Sequence, residues 1–441
     1  MTTTTIPMIP GRSLLILLLQ LATLLLLARV LGRLAERLSM PRIVGELLSG
    51  VLLGPSIAGW VAPGFTHWLF PPQVEQTHLL DAIGQVGLLM LVCLTGMEMD
   101  FGLIRRRGRA AVSVSLAGIL VPLTAGIGVG LAISGTLKPD GISDGVFALF
   151  LGVALCVTAI PVIGKTLMDM NLTHRNVGQL TLAAGVVDDA FGWFMLSVVS
   201  ATAAGSLTIG NVLVAIVNPL LFVGVAVLLG RPLVRFILAR TGSNNGQSLG
   251  TIVLLILVSS AAAQALKLEA IFGAFICGAV ISSCGAFERG KIASLRPLVL
   301  AFLAPVYFAT AGLRMNLREL NSAAVIGIAL LILVAAIAGK FIGAYIGARI
   351  SRLNQWEALA LGAGMNARGI VEVVVATVGL QIGVIRNDTY TIIILVAVVT
   401  SIMAPPILRL TMRRIEQTSE EELRLAEYRS PPVGAVADGK A

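Results

Sequence analysis

Apolar residues gather into long runs separated by short polar stretches, at the length and spacing of membrane-crossing helices. Thirteen spans are predicted, at 13–34, 42–61, 80–99, 110–134, 145–168, 178–201, 208–230, 249–266, 268–286, 296–313, 322–347, 356–381 and 388–410. Only Lys267-Leu268-Glu269 separates the eighth from the ninth. Lys and Arg divide unequally between alternate loops. One set holds 21, including Arg29, Arg33, Arg37, Arg105, Arg106, Arg107, Arg289, Lys291, Arg349 and Arg413. The other set holds only Arg12, Lys138, Lys267, Arg314, Arg318 and Arg386. Because cytoplasmic loops retain the positive charge, the pattern predicts an all-α, multi-pass cell-membrane protein with its N-terminus outside and its C-terminus cytoplasmic.

The chain also repeats itself. LSMPRIVGELLSGVL from Leu38 aligns with LKLEAIFGAFICGAV from Leu266, pairing Gly45 with Gly273 and Gly50 with Gly278. TGMEMDF from Thr95 aligns with AGLRMNL from Ala311, pairing Gly96 with Gly312. ALFLGVALCVTAIPV from Ala148 aligns with ALALGAGMNARGIVE from Ala358, pairing Thr158 with Arg368. Three matches in the same order predict two repeats, 13–201 and 249–411, joined by a linker helix at 208–230, with a short polar cytoplasmic tail at 412–441. A shift of seven helices reverses direction through the membrane, so the repeats are inverted, the architecture of secondary transporters.

Composition agrees: 56% of residues are hydrophobic and 12% charged, with a mean hydropathy of +0.93, far from the roughly 25% charged residues of a soluble domain. A net charge of +9 would suggest a nucleic-acid partner in a soluble protein. Here most basic residues occupy loops and topology accounts for them, so no nucleic-acid partner is expected. Cys93, Cys156, Cys277 and Cys284 lie in apolar segments without metal-ligand spacing and read as packing residues. The first apolar run runs into LARVLGRLAERL with no small-x-small cleavage site, so no removable signal peptide is expected. His67, His78 and His174 are predicted in loops, away from any core ligand set, and Gly126, Gly128 and Gly130 read as packing residues.

The chemistry concentrates in span six, GQLTLAAGVVDDAFGWFMLSVV, where Asp188 and Asp189 are the only ionisable groups. A charged residue at the bilayer centre costs at least about 2.5–3.5 kcal/mol, and adjacent carboxylates repel, which favours a bound proton or cation. On a helix the two side chains point about 100° apart and take different roles. Span five, GVALCVTAIPVIGKTL, carries Pro161, which would free the carbonyl near Val157, with the Thr158 hydroxyl beside it. The matching part of span twelve, GMNARGIVEVVV, also breaks the helical pattern with Asn366, Arg368, Gly369 and Glu372. Two interrupted helices at matching positions point to a transporter's binding site. Lys340 lies deep in span eleven, and a buried ammonium is stabilised by a nearby carboxylate; one of the two aspartates is its natural partner. Arg368 and Glu372 are spaced to pair along one helix face and to hold the broken helix. Glu46 in span two suits a conduit or a packing role equally, and Glu98 and Arg314 read as boundary residues.

The segments PRIVGELLSGVLLGPS, LVCLTGMEMD, VTAIPVIGK, AAGVVDDAFGW, LAPVYFATAGLRMNL, AGKFIGAYIGARI and MNARGIVEVVV together resemble the monovalent cation:proton antiporter-2 superfamily. That group holds bacterial NapA- and NhaA-type antiporters and plant cation/proton exchangers. The resemblance implies an NhaA-like fold and a non-enzymatic exchanger that needs no cofactor. It makes Asp189 the obligate ion- and proton-carrying carboxylate, and Asp188 a second carboxylate paired with Lys340 when no cation is bound, with Thr158 nearby. It also implies a homodimer in which spans one to three and eight to ten form the dimer domain, while spans four to six and eleven to thirteen form the moving core. Paired aspartates imply electrogenic exchange, and MNARG is closer to the plant proteins, which keeps potassium beside sodium as cargo. No C-terminal nucleotide-binding regulatory domain is expected.

The expected mechanism is competition: Asp189, with Asp188, holds either protons or one dehydrated alkali cation coordinated by carboxylate, Thr158 and freed carbonyl oxygens. Neighbouring carboxylates on one helix cannot face each other across a scissile bond, which excludes an intramembrane aspartyl protease. An organic-anion/sodium symporter or a gated cation channel on the same inverted-repeat fold are the alternatives. Fixed acids disfavour an anionic substrate, and a channel would pass current without proton exchange.

Overall fold

The computed structural model describes residues 9–38, 40–97, 101–203, 209–240, 245–284 and 295–423. Glu98, Arg289, Lys291 and the tail beyond 423 lie outside them. Among the described residues the regular structure is helical, with no strand. Ten helices among the described residues are long and apolar enough to cross a membrane, or eleven if Gln355–Met365 and Ile370–Gln381, bent by 43°, form one span. The shorter apolar helices Asp144–Cys156 and Ala270–Ser283 stand where the fifth and ninth spans were expected. Among the described residues, then, helices of crossing length match ten of the thirteen predicted spans, or eleven with the bent pair.

Several boundaries move for local reasons. The second span stops as a regular helix at Leu53, where Gly54-Pro55 follows, and continues only as the short helices Ala58–Val61 and Pro63–Leu69. The fourth begins at Phe101 and runs to Leu137, carrying its basic first turns beyond the apolar stretch. The linker helix starts at Ile209 and continues through a π-helical turn, Ala226–Gly230, to Arg240. Of the three histidines only His174 lies in a loop, and it is buried; His67 and His78 lie in the helices Pro63–Leu69 and Val74–Met97.

One helix pair positions the centre of the molecule. Ala323–Ile350 lies along Phe101–Leu137, which in turn covers Asp144–Cys156. The contact is intimate because Gly339, Gly343 and Gly347 form a stripe at every fourth position. A Cβ on Gly343 would stand 2.4 Å from the Ala117 carbonyl oxygen, and one on Gly347 2.4 Å from that of Ser113. Close approach of helix backbones through small residues is how membrane helices associate without a hydrophobic driving force. Lys340 sits within this stripe and is carried to the centre by it.

Elsewhere Val74–Met97 packs on Ala270–Ser283, and Ala304–Arg314 on Arg42–Leu53. Gly126 and Gly130 behave as expected, closing on Gly152 and Ala148, whereas Gly128 has open space. All four cysteines are buried and free. Arg314 pairs with Asp81, joining Ala304–Arg314 to Val74–Met97.

Candidate functional site

Two helices are interrupted side by side. Ser143 caps the start of Asp144–Cys156 by accepting from the Val146 amide, and Asn354 with Glu357 forms a capping box at the start of Gln355–Met365. The first break is extended through Val157, Thr158 and Ala159, and the chain resumes as Ile160–Asp169. Pro161 therefore stands in the first turn of the second half, where its missing N–H costs nothing. It does not disrupt a continuous helix. The freed carbonyls that find donors are those of Ala154, Leu155 and Cys156, the three residues just before the position expected near Val157.

The second break runs from Asn366 to Gly369, and Ile370–Gln381 follows. Gly369 has φ 156° and ψ −105°, a region that side chains avoid, and a Cβ there would lie 2.7 Å from Val162 Cγ2. The extended segments touch: the Ala159 amide donates to the Ala367 carbonyl at 3.4 Å.

Ending a helix in the middle of the bundle leaves carbonyls and the negative end of a dipole without water. Two buried cations answer this. Arg368 donates to the carbonyls of Ala154 (3.3 Å), Leu155 (2.6 Å) and Ala336 (2.9 Å). Lys340 donates to the Cys156 carbonyl at 2.6 Å. Both side chains are 0% exposed. Arg368 also pairs with Glu372 at 3.2 Å, as the four-residue spacing predicted, and Glu372 lies in the first turn of its half-helix, where a negative charge complements the dipole. Asn366 donates to the Ile337 carbonyl at 3.0 Å.

The unbroken helix Asn176–Ala203 brings the carboxylates to this crossing. Asp188 accepts from Thr158 at 2.6 Å, from Ser115 at 2.5 Å and from Lys340. This buried carboxylate thus has two hydroxyl donors and the Lys340 side chain as partners, each from a different helix or break. Asp189 follows on the same helix, projecting about 100° round the axis, and is 0% exposed. Of the residues singled out in the sequence, Asp188, Thr158 and Lys340 are in direct contact; Arg368 and Glu372 form the adjoining pair, and Asn366 lies in the second break. Glu46 stands apart, buried on Arg42–Leu53 and paired with Arg42 at 3.1 Å. Ser115 escaped the sequence reading, because a serine in VSVSL has no signal that separates a ligand from a packing residue.

Ser115→Ala leaves a buried carboxylate one donor short, and a hydrogen bond to a charged group contributes about 1.5–3 kcal/mol. Thermal unfolding in detergent is expected to show a clearly lowered midpoint. Thr124→Ala, whose exposed hydroxyl bonds only to carbonyls of its own helix, should be nearly silent. Equal midpoints for the two variants would mean that Asp188 does not depend on Ser115.

Comparison with known proteins gives concordant matches. A family model described as sodium/hydrogen exchanger, transmembrane, matches residues 22–414. The Na(+)/H(+) antiporter NhaS4 of Synechocystis sp. is 30% identical over 399 residues, covering 90% of this chain and 97% of that protein. Cation/H(+) antiporter 17 of Arabidopsis thaliana is 31% identical over 398 residues, covering 89% of this chain but 48% of its own length, so the chain spans about half of several curated relatives it matches. The Na(+)/H(+)-K(+) antiporter GerN of Bacillus cereus is 27% identical, with 89% and 95% covered. The fold is that of the sodium proton antiporter MjNhaP1 from Methanocaldococcus jannaschii at pH 8, with a TM-score of 0.69 and 18% identity over 91% of this chain and 99% of that one. This chain belongs to the sodium/hydrogen exchanger family of multi-pass membrane transporters.

Proposed function

We propose that the chain is a secondary monovalent cation/proton antiporter in which protons and one alkali cation compete at Asp188 and Asp189. The observation that carries this reading is a pair of adjacent, fully buried carboxylates on an intact helix, set against the crossing of two broken helices, with Asp188 held by Lys340, Thr158 and Ser115. Asp188 is committed to an ammonium, so Asp189 is the carboxylate that exchanges ions. A cation taking oxygens from both carboxylates and Thr158 displaces Lys340 from Asp188. Release of the cation restores the Lys340 pair and reprotonates Asp189. Each exposure of the site to one side of the membrane completes half of the cycle.

Packing supports the inverted-repeat reading. Gly50 abuts the helix of Gly312, and Gly278 abuts that of Gly96: a Cβ on Gly50 would lie 1.9 Å from the Ala309 carbonyl oxygen, and one on Gly278 2.1 Å from that of Cys93. The sequence alignment pairs Gly50 with Gly278 and Gly96 with Gly312, so both repeats make the same contact. The orientation inferred from loop charge, with the C-terminus cytoplasmic in the cell membrane, and a homodimer complete the proposal.

Relatives named for sodium and for potassium both match this chain, so ion identity is an experimental question. Everted vesicles energised to an acidic interior should lose their pH gradient when Na⁺, K⁺ or Li⁺ is added; no response to any of the three would sink the antiport reading. If the cation displaces one proton from the carboxylates and another from Lys340, each cycle moves net charge, driven by about 2.3 kcal/mol per charge per 100 mV. In proteoliposomes the cation gradient at which proton flux stops should then move with a clamped voltage. A null point independent of voltage would mean one-for-one exchange through Asp189 alone.

A further inference from the structure

The helix that carries Asp188 and Asp189 begins at Asn176, immediately after the loop Met170–Arg175 that leaves the half-helix Ile160–Asp169. Residues 413–423, beyond the last long helix, fold back onto this point. Glu421 is 2% exposed. One of its oxygens accepts from the Asn176 amide at 2.5 Å, and the other accepts from the Thr418 amide at 2.9 Å and lies 3.2 Å from Arg175 Nε. Arg175 Nη2 donates to the carbonyls of Ile415 (3.0 Å) and Glu416 (3.1 Å), and Gln417 meets the buried His174 at 3.2 Å. A side chain from 245 residues away in sequence thus satisfies an amide at the start of the ion-carrying helix, where the helix dipole favours a carboxylate. Burial alone would push the Glu421 carboxyl up, but the two amide donors and Arg175 outweigh it and hold the group below the ordinary carboxylate range. The group is therefore charged at neutral pH.

We propose that Glu421 is a positioning residue for ion exchange: it fastens the segment 413–423 as a brace that sets the helix of Asp188 and Asp189 in register with the break at Thr158. The inference rests on the antiport reading given above. At 1.5 Å per residue Asp188 lies about 18 Å along the helix from Asn176, and the helix-end field fades within a turn, so the action is mechanical rather than electrostatic. The brace holds both neighbours of the loop, namely the half-helix that begins just after Thr158 and the helix that bears its hydrogen-bond partner Asp188. Loosening it lets those two ligands drift apart.

The test compares wild type with Glu421→Ala and Glu421→Asp in the full chain. Hydrogen exchange reports protection of the Asn176 amide, and vesicle assays give the half-saturation constant of the transported cation and the maximum rate. Glu421→Ala is expected to lose protection at Asn176 and to raise the half-saturation constant about three- to tenfold, the size of one weakened hydrogen bond in the site. The maximum rate should be unmoved, and Glu421→Asp should recover part of the affinity. Arg175→Ala, which removes the other anchor, should behave alike and serves if the first variant does not accumulate. Retained protection in Glu421→Ala, or lost protection with unchanged half-saturation, overturns the proposal. So does a fall in maximum rate alone. A wild type without cation-driven proton flux would count against antiport, while the amide readout would still decide whether Glu421 holds the helix end.

Discussion

Asp189→Asn is expected to abolish cation-dependent proton flux while leaving the protein folded. The amide matches the carboxylate in shape, so packing at this fully buried position survives. What disappears is the ability to take up and release a proton, together with the negative charge that offsets the dehydration of a cation. An uncharged side chain at this depth is also cheaper to bury than a carboxylate, so the melting midpoint should hold or rise. Purified variant and wild type would be compared at equal protein in proteoliposomes, across the pH range and with each alkali cation. Substantial residual exchange would remove Asp189 from the centre of the mechanism and return attention to Asp188.

Lys340→Ala should be among the most destabilising single substitutions in the chain. It leaves the Asp188 carboxylate without its ammonium and the Cys156 carbonyl without its donor, both in the interior. Breaking a buried ion pair by deleting one member costs about 3–5 kcal/mol. The two hydroxyl donors, Thr158 and Ser115, remain and moderate the loss. Asp188→Asn combined with Lys340→Met should recover much of the stability, because no uncompensated charge is then left. A double-mutant cycle on thermal or denaturant unfolding is expected to give a coupling of about 1–3 kcal/mol. Additive effects would mean that the pair contributes no specific energy, and the charge-displacement account of cation binding would go with it.

Arg368 shows how closely the fold and the site are bound together. Its guanidinium spans the end of one half-helix, the Ala336 carbonyl of Ala323–Ile350 and Glu372 of its own half-helix. The half-helix Asp144–Cys156 could not stop where it does without such donors, since lipid offers the freed carbonyls nothing. The proposed ion site is therefore a by-product of how the interruption is stabilised. Lys340 takes part in both tasks, holding a carbonyl and a carboxylate at once.

The membrane class and the candidate site were legible from the amino-acid order. Apolar runs and two adjacent aspartates in an apolar helix each reflect a cost of burial or exposure set by the residue types themselves, and loop charge reflects a bias set by the loops themselves. The spacing of Arg368 and Glu372 was legible for the same reason: partners four residues apart meet on any helix. Tertiary structure decided what depends on groups far apart in the chain. Residue types alone left open which aspartate meets Lys340; it is Asp188, as the family resemblance implied, because the Gly339–Gly343–Gly347 stripe sets how Ala323–Ile350 lies on Phe101–Leu137. Ser115 becomes a hydrogen-bond donor to Asp188, although its neighbours in sequence look like packing. Pro161 opens a half-helix instead of kinking a continuous one, because the break before it is held open by Arg368 and Lys340. Glu421, in a polar tail that composition alone would leave in water, is buried because the first amide of the Asp188 helix needs an acceptor there.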